Sequence, residues 1–311
     1  MSPGKDPTNR FTQWTAAGVS MLNGAFGDYL VRRNNGLAID MAFMHRGRAL
    51  AMEKDAFRVA YPATDGRLCI FLHGLCCNEA SWEFSDTGGG SGQTYGGLLQ
   101  MEIGMTPMFV RYNTGLPIAE NGKRLAALLD ALLGAFPVAI REIVLVGHSM
   151  GGLVARSAAA AGGAWLPLLG KMFYLGTPHE GADLAKFAHG TAAALDAMPS
   201  RVSRLVSDIL DLRSDGIKDL RDGLGSAGAM AEAAQSVRHY LIAGTLADDP
   251  DHPVSRLLGD GLVRVPGAAD FAGHEQKIRV GIFPGVHHMA LAHDMAVYRQ
   301  IREWMMEKVN T

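Results

Sequence analysis

The sequence of 311 residues predicts an α/β protein with a mostly parallel central sheet and helices on both faces of that sheet. Short apolar segments typical of buried strands alternate along the chain with longer segments of helical periodicity. No linker rich in proline, serine or charge divides the chain, and no internal repeat is visible. Alternating strands and helices form parallel sheets, whose chemistry lies on loops at the carboxyl ends of the strands.

The predicted strands and helices follow the apolar pattern along the chain. The strands are residues 68–72, 107–111, 142–146, 171–175, 239–243 and 278–283. The helices are residues 120–133, 151–161, 204–212 and 295–309. Near the N terminus, apolar residues also recur at helical spacing, and they are Phe11, Trp14, Leu22, Phe26 and Leu30. This pattern predicts a further amphipathic helix, for which packing against the protein is the usual role and membrane contact is the alternative.

The segment 181–235 is longer than an ordinary connection between two strands. Its apolar residues, such as Leu195 and Ile209, alternate with charged ones, as they do in amphipathic helices. A long insertion at the active end of a sheet is commonly a lid. We therefore expect a core of residues 1–180 and 236–311, which includes the N-terminal helix, and a helical lid of residues 181–235.

The composition excludes several classes of partner. The chain is 48% hydrophobic and 19% charged, with a formal net charge of −2 at pH 7 and no block of lysine and arginine. Nucleic-acid binding and a polybasic membrane anchor are therefore not expected. We expect a neutral or apolar small molecule as the partner.

The cysteines and the N-terminal region predict a cytoplasmic location. Cys69, Cys76 and Cys77 are three in number and cannot all pair within the chain, which fits a reducing compartment. The uncharged segment 11–27 is too short and too polar for a transmembrane helix, and it is a poor secretory signal. An export signal at the start of the chain is the alternative.

A serine lies at a sharp turn between a predicted strand and a predicted helix. Strand 142–146 runs into Gly147-His148-Ser149-Met150-Gly151-Gly152, and an alanine-rich helical segment follows. The bare Gly-x-Ser-x-Gly pattern is a weak signal, but a serine in this strand-to-helix context is typical of an activated nucleophile. We predict Ser149 as the nucleophile, with the Met150 backbone N–H at the positive end of the helix as an oxyanion donor. An ordinary glycine-rich turn is the alternative.

A serine hydroxyl needs a base to take its proton and a further group to orient that base. In a sheet of this kind the order along the chain is serine, acid and histidine, with the histidine after the last strand. That position offers His287, His288 and His293. His288 is our first choice and His287 the close competitor, while His293 is predicted to lie on the final helix.

The acid is expected after the predicted strand 239–243. Asp260 has a glycine on each side and precedes two apolar residues, in a turn well suited to hold a carboxylate toward an imidazole. Asp249 and Asp251 belong to a charged turn that contains proline, which is typical of a solvated loop. We predict that Asp260 fixes the histidine tautomer and stabilises the imidazolium.

A second oxyanion donor is predicted in the loop that follows strand 68–72. There, His73-Gly74-Leu75 is expected to present the Leu75 N–H opposite the serine. Cys76 and Cys77 follow directly, and we interpret them as small buried residues, with a cysteine nucleophile as the alternative. His179-Glu180 lacks the second histidine of the zinc motif H-E-x-x-H, so we expect no metal and no cofactor.

Together these motifs resemble the α/β-hydrolase superfamily and, within it, bacterial lipases and esterases similar to triacylglycerol lipases and to GPI-inositol-deacylase-like proteins. The resemblance covers residues 68 to about 309. It rests on HGL after the first predicted strand, GHSMGG at the serine, LGTPH after the next strand, DGLV at the acid and HHMALAHDMAVYRQIREWM at the end. The resemblance implies the α/β-hydrolase fold. It also implies that Asp260 of the DGLV motif is the acid, and that His288, which precedes x-x-L and a terminal helix with a tryptophan, is the catalytic histidine.

The residues and the resemblance predict a serine carboxylic-ester hydrolase, an esterase or lipase that acts through an acyl-enzyme intermediate without a cofactor. Its expected partner is a small neutral ester with an acyl chain. A thioesterase or acyltransferase with the same three residues is the closest alternative. A non-catalytic, hydrolase-like binding protein is the more distant one.

Overall fold

The computed structural model of the protein describes residues 7–84, 92–179, 181, 214–222, 237–245 and 278–307. Its strands in chain order are β1 (Ala42–His45), β2 (Arg48–Ala49), β3 (Arg67–Leu72), β4 (Thr106–Arg111), β5 (Glu142–His148), β6 (Leu169–Leu175), β7 (Arg238–Thr245) and β8 (Ile278–Pro284). Its α-helices are α1 (Pro7–Arg32), α2 (Lys54–Ala60), α3 (Tyr95–Ile103), α4 (Ile118–Ala135), α5 (Met150–Ala161), α6 (Asp215–Asp222) and α7 (Met295–Met306). Short 3-10 helices cover Glu79–Trp82, Leu166–Leu168 and His288–Ala292.

The strands form one eight-stranded sheet in the order β2-β1-β4-β3-β5-β6-β7-β8. β3 to β8 run parallel to one another, whereas β1 pairs antiparallel with both β2 and β4. The predicted mostly parallel sheet is therefore confirmed. The six predicted strands are observed as β3 to β8, with bounds that differ by at most two residues.

The first two strands form a hairpin that the apolar pattern does not predict. They are only four and two residues long, and a two-residue turn of Arg46 and Gly47 joins them. Both turn residues have a positive φ, of 50° and 77°, as a type I′ turn requires. Arginine is not a residue that favours this turn, so the sequence gives no hairpin signal at this point.

Helices cover both faces of the sheet. Because side chains alternate between the two faces along each strand, one strand contributes to the hydrophobic core on either side. In β3, Leu68, Ile70 and Leu72 belong to the core cluster that includes residues of α4 and α5. Cys69 and Phe71 point to the other face and belong to the cluster that includes residues of α3 and α7. This arrangement confirms the prediction of helices on both faces.

Three of the predicted helices, 120–133, 151–161 and 295–309, are observed as α4, α5 and α7. The predicted helix 204–212 lies outside the described residues. Within the segment 181–235, the structure describes residues 181 and 214–222, and the rest of the predicted lid also lies outside the described part. There, α6 contributes Ile217 and Leu220 to the hydrophobic core.

Helix α1 packs across the carboxyl edge of the sheet, and it buries small and polar residues together with Leu30 of the predicted apolar face. Ser20, Asn23 and Ala25 are no more than 2% exposed, whereas Leu22 and Phe26 are only half-buried. Small and polar residues suit this contact because the loops at the edge present backbone groups to the helix at close range. Among the described helices, α1 included, none combines the length and the apolar character needed to cross a membrane.

Candidate active site

The loops that carry the predicted site residues leave the same edge of the sheet. Because β3, β5, β6, β7 and β8 are parallel, their carboxyl ends lie side by side. Leu72 at the end of β3 is in register with Gly147 of β5, and Leu175 of β6 is in register with His148. The turn after β3, the serine turn after β5 and the histidine loop after β8 are therefore neighbours.

Ser149 occupies the turn between β5 and α5 with φ 53° and ψ −124°. Residues with a side chain rarely adopt this conformation, which costs on the order of 1–3 kcal/mol and persists only when the surroundings enforce it. The Ser149 N–H donates to the Leu175 carbonyl at 2.8 Å, and the Ser149 carbonyl accepts from the Gly152 N–H at 3.0 Å. The predicted strained strand-to-helix turn is thus observed.

The glycines of this turn are required by contacts with backbone and side-chain atoms that lie very close. A Cβ on Gly147 would lie 2.4 Å from the Gly152 Cα, and one on Gly151 would lie 2.3 Å from the Leu72 carbonyl oxygen. A Cβ on Gly152 would lie 2.0 Å from the Oγ1 of Thr177. The GHSMGG motif therefore allows β5, α5 and the ends of β3 and β6 to approach one another closely.

The LGTPH segment supports the serine turn from β6. Its Leu175 accepts the Ser149 N–H and its Thr177 packs against Gly152. His179 is buried behind the turn, with its Nδ1 3.3 Å from Nη1 of Arg156. Burial and the charge of Arg156 lower the pKa of His179 to about 3. This histidine is neutral at physiological pH, and we assign it a supporting role.

The segment after β3 forms a four-residue turn, Gly74–Cys77, which we call the 74–77 turn. The Cys77 N–H donates to the Gly74 carbonyl at 3.2 Å, and Cys76 has φ 61°. A Cβ on Gly74 would lie 3.2 Å from the Ser149 Cβ, so the turn is in contact with the serine. The turn brings Leu75, the predicted second donor, to the serine side of the edge.

The amides of the 74–77 turn have different surroundings. Cys76 donates its N–H to Thr114 Oγ1 at 3.1 Å, and Cys77 donates to Gly74. In the described part of the chain, no acceptor is found for the Leu75 N–H. Met150 is the first residue of α5, so its N–H has no acceptor within the helix. Neither predicted oxyanion donor, therefore, has a hydrogen-bond acceptor among the residues that the structure describes.

His73 fixes the start of the turn as a neutral imidazole. Its Nε2 accepts from the Tyr112 N–H at 3.4 Å, so its Nδ1 carries the proton and donates to the Gly74 carbonyl at 3.0 Å. The ring also stacks on Tyr112, with centroids 4.4 Å apart. Burial lowers the pKa of His73 to about 4.

His288, the first choice for the histidine after the last strand, lies beside the serine turn. It is 3% exposed, and its carbonyl accepts a hydrogen bond from Nε2 of His148 at 3.0 Å. The rings of His288 and His148 are 4.8 Å apart. His287 is exposed, and its Nδ1 accepts the Ala290 N–H at the start of a 3-10 helix. Of these two neighbours, only His288 is buried against the residue that precedes Ser149.

Contrary to the prediction, His293 does not lie on the final helix. It lies one residue before Asp294, the N-cap residue of α7. Burial lowers the pKa of His293, and a hydrogen bond involving the Ser81 backbone opposes this shift. The predicted acid, Asp260, and its competitors Asp249 and Asp251 lie outside the described residues.

The cysteines are thiols rather than thiolates at neutral pH. Burial raises the pKa of Cys76 to about 12 and that of Cys77 to about 11. The pKa of Cys69 lies well above its ordinary value for the same reason. A nucleophilic cysteine needs a lowered pKa, so these values favour structural cysteines, although Cys76 and Cys77 are only partly buried. Within the described residues, no group of three or more His, Cys, Asp or Glu side chains is arranged to hold a metal ion.

Sequence reasoning does not identify the residues that hold the 74–77 turn from outside. These are Thr114, which accepts the Cys76 N–H, and Gly24 of α1, which packs against Cys76. Asn113 and Thr114 follow the strand predicted at 107–111 after one intervening residue, Tyr112, and polar residues near the end of a strand are a signal for this edge. For Gly24, the sequence offers no such signal.

The mostly parallel sheet, the strained serine turn and the helices on both faces together give the chain an α/β-hydrolase-like fold. Residues 63–164 match a family model described as a putative serine esterase, DUF676. Residues 129–207 match a model described as a PGAP1-like alpha/beta domain. Each model covers a part of the chain that includes Ser149. Among curated proteins, no match to this sequence is found.

Solved structures with the same fold include the Bacillus licheniformis lipase BlEst2. Its mature form is 18% identical, with a TM-score of 0.53 over 76% of this chain and 92% of that chain. The form with its propeptide is 19% identical, with a TM-score of 0.51 over 78% of this chain and 50% of that chain. At these identities, the similarity concerns the fold.

The packing of the serine turn is tested by adding one methyl group to Gly151. The Cβ of a Gly151→Ala variant would lie against the carbonyl oxygens of Leu72 and His73, which belong to the end of β3 and its first loop residue. We expect a loss of about 1–3 kcal/mol in the free energy of unfolding, measured by urea denaturation. Gly134→Ala in α4, where the Cβ meets open space, is the control and should gain up to about 1 kcal/mol. A Gly151→Ala variant as stable as the wild type would contradict this packing.

The buried neutral state of His73 predicts a loss of stability in acid. The folded protein has a pKa of about 4 for His73, against 6.5 for the exposed imidazole, so the unfolded chain binds more protons between these values. Stability therefore falls as the pH falls through this window, by about 3 kcal/mol for this group. A His73→Phe variant keeps the stacking on Tyr112 and lacks the proton. Urea denaturation at about pH 7 and about pH 4 should show a smaller acid loss for the variant, and an equal loss would refute the assignment.

Proposed function

We propose that the protein is a serine carboxylic-ester hydrolase in which Ser149 is the nucleophile. The observation that carries the proposal is the strained backbone of Ser149 at the carboxyl edge of the sheet. Strain of this kind persists at functional sites, because a structural serine gains nothing from it. The match of residues 63–164 to a serine esterase model supports the same reaction class.

In the proposed reaction, the Ser149 hydroxyl attacks the ester carbonyl while His288 takes its proton. The tetrahedral oxyanion is held by the backbone N–H groups of Met150 and Leu75. His288 then gives the proton to the leaving alcohol, and an acyl-enzyme remains on Ser149. Water then attacks the acyl-enzyme while His288 takes one of its protons, and His288 returns that proton to the Ser149 oxygen as the acyl bond breaks and the carboxylic acid leaves. Every catalytic group in this proposed reaction belongs to the protein, and no cofactor takes part.

We assign Asp260 as the group that orients His288. Its place after β7 in the chain and its glycine neighbours support this role, because a carboxylate must reach the imidazole from a loop at the same edge. A carboxylate there would fix the histidine tautomer and stabilise the imidazolium that forms during attack.

The proposed substrate is a neutral ester with an acyl chain. The near-zero net charge of the protein supports a neutral substrate, and the similarity of its fold to a lipase supports an acyl chain. We further propose that the segment 181–235, apart from 214–222 whose helix α6 packs into the core, is a helical lid over the acyl chain, because its apolar residues recur among charged ones. Each buried CH₂ group contributes about 0.8 kcal/mol, so a lid would set a preference for chain length.

Replacing the nucleophile should abolish hydrolysis of p-nitrophenyl esters. Ser149→Ala is expected to lower kcat by at least about 10³-fold, because water cannot take the place of the activated hydroxyl. Ser157→Ala, on the same helix α5, is the matched control and should keep its activity within about twofold. Equal activity of Ser149→Ala and the wild type would refute the proposal. Absence of hydrolysis in the wild type, across short and long acyl chains, would indicate a binding protein instead.

The two partners of Ser149 are tested by matched pairs of variants. His288→Gln should lower kcat by at least about 10³-fold, whereas the exposed neighbour should tolerate His287→Gln. Asp260→Asn should lower kcat by about 10⁴-fold through loss of the correct tautomer, and Asp249→Asn should have little effect. The reverse order within either pair, measured under kcat conditions, would assign the role to the competitor.

A further inference from the structure

One face of helix α1 lies directly on the 74–77 turn. Ser20, Gly24 and Gly27 are spaced four and three residues apart, so they share one side of the helix, which we call the inner face of α1. All three residues are buried. Neither the predicted apolar pattern of this helix nor the proposed reaction assigns this face a role.

The contact is closest between Gly24 and Cys76. A Cβ on Gly24 would lie 2.3 Å from Sγ of Cys76, 3.1 Å from its Cα and 3.2 Å from its N. An alanine there must therefore rotate the Cys76 side chain and press on the backbone of the turn. The carbonyl of Gly24 also accepts a hydrogen bond from Oγ of Ser214 at 2.8 Å, which holds the helix in place next to α6.

Cys76 is the residue of this turn whose conformation most needs support. It is the third residue of a turn closed by a hydrogen bond from Cys77 to Gly74, and its φ of 61° is one that glycine or asparagine usually supplies. Thr114 Oγ1 accepts the Cys76 N–H on one side, and Gly24 closes the other side. The conformation of the turn therefore depends on two contacts from outside it.

The inner face of α1 also contacts the segments on both sides. Asn78, just after the turn, donates from Nδ2 to Ser20 Oγ at 3.4 Å. Asn113, just before Thr114, donates from Nδ2 to the Gly27 carbonyl at 3.1 Å. One face of a single helix thus touches the turn and the strand end that supports it.

We propose that α1 is a functional part of the oxyanion hole and that Gly24 and Thr114 are positioning residues for the Leu75 N–H. The inference rests on the proposed function of Ser149. Leu75 directly precedes Cys76, so a shift of Cys76 reorients the peptide groups on both sides of Leu75. A donor displaced by a fraction of an ångström still allows substrate to bind but stabilises the transition state less well.

The test compares two glycines of the same helix. Gly24→Ala pushes on Cys76, whereas Gly18→Ala places its Cβ in open space, and both gain helix propensity. With p-nitrophenyl butyrate, we expect Gly24→Ala to lower kcat by about 10- to 100-fold with KM within about threefold. The inhibition constant of a trifluoromethyl ketone, which mimics the oxyanion, should rise in parallel. Gly18→Ala should keep kcat within about twofold, and thermal unfolding should show both variants folded.

If Gly24→Ala does not fold, two variants of Thr114 test whether the contacts to Cys76 position the Leu75 N–H. Thr114→Val removes the acceptor of the Cys76 N–H and should lower kcat in the same way, while Thr114→Ser keeps a hydroxyl and should restore it. Where Gly24→Ala does fold and has a lower kcat, the additional change Cys76→Gly removes the Sγ contact and should recover most of the lost kcat.

Two results would overturn the inference. One is a folded Gly24→Ala or Thr114→Val variant with kcat and ketone affinity within about twofold of the wild type. The other is an equal loss of kcat in Gly24→Ala and Gly18→Ala. The proposed function fails separately, because in that case the wild type hydrolyses no ester or Ser149→Ala remains active.

Discussion

The positive φ of Ser149 is the constraint on which the candidate active site depends. A residue with a side chain does not hold this conformation unaided, so the surrounding structure must enforce it. The Leu175 carbonyl takes the Ser149 N–H, and three glycines allow β5, α5 and the neighbouring strand ends to approach within contact distance. The parallel sheet and its helical cover are thus the frame that keeps one serine in a strained position.

The same principle recurs on the opposite side of the site. Cys76 also has a positive φ, and here the support comes from Thr114 and from Gly24 of α1. In both places, the absence of a Cβ at a neighbouring residue permits the close approach. Two strained turns that touch at Gly74 and Ser149 thereby define the edge where the proposed oxyanion would lie.

Two buried histidines near this edge, His73 and His179, have a lowered pKa because of their burial, and we assign both a structural role. Burial lowers the pKa of His73 to about 4, and its proton serves to hold the Gly74 carbonyl. His148 is buried between the rings of Trp82 and His288, and its Nε2 donates to the His288 carbonyl. In the proposed reaction, His288 is the imidazole that exchanges protons with the substrate.

The sequence predicts the parts of this structure that local patterns determine. Apolar segments identify β3 to β8, and β3, β5, β6 and β7 are apolar nearly throughout because they are buried on both faces. The glycines around Ser149 identify its turn. The hairpin of β1 and β2 escapes prediction because its strands are very short and its turn begins with arginine. The inner face of α1 escapes because small residues in a helix carry no periodic signal, and their role appears only when the chain brings Gly24 to Cys76. The assignment of Asp260 stays a prediction from the sequence.

The most direct test of the central claim is to treat the protein with a fluorophosphonate and to map the adduct by mass spectrometry. The account predicts one covalent adduct on Ser149, loss of ester hydrolysis in proportion to labelling, and no labelling of Ser149→Ala. An adduct on another residue, such as Cys76, with Ser149 unmodified would contradict it.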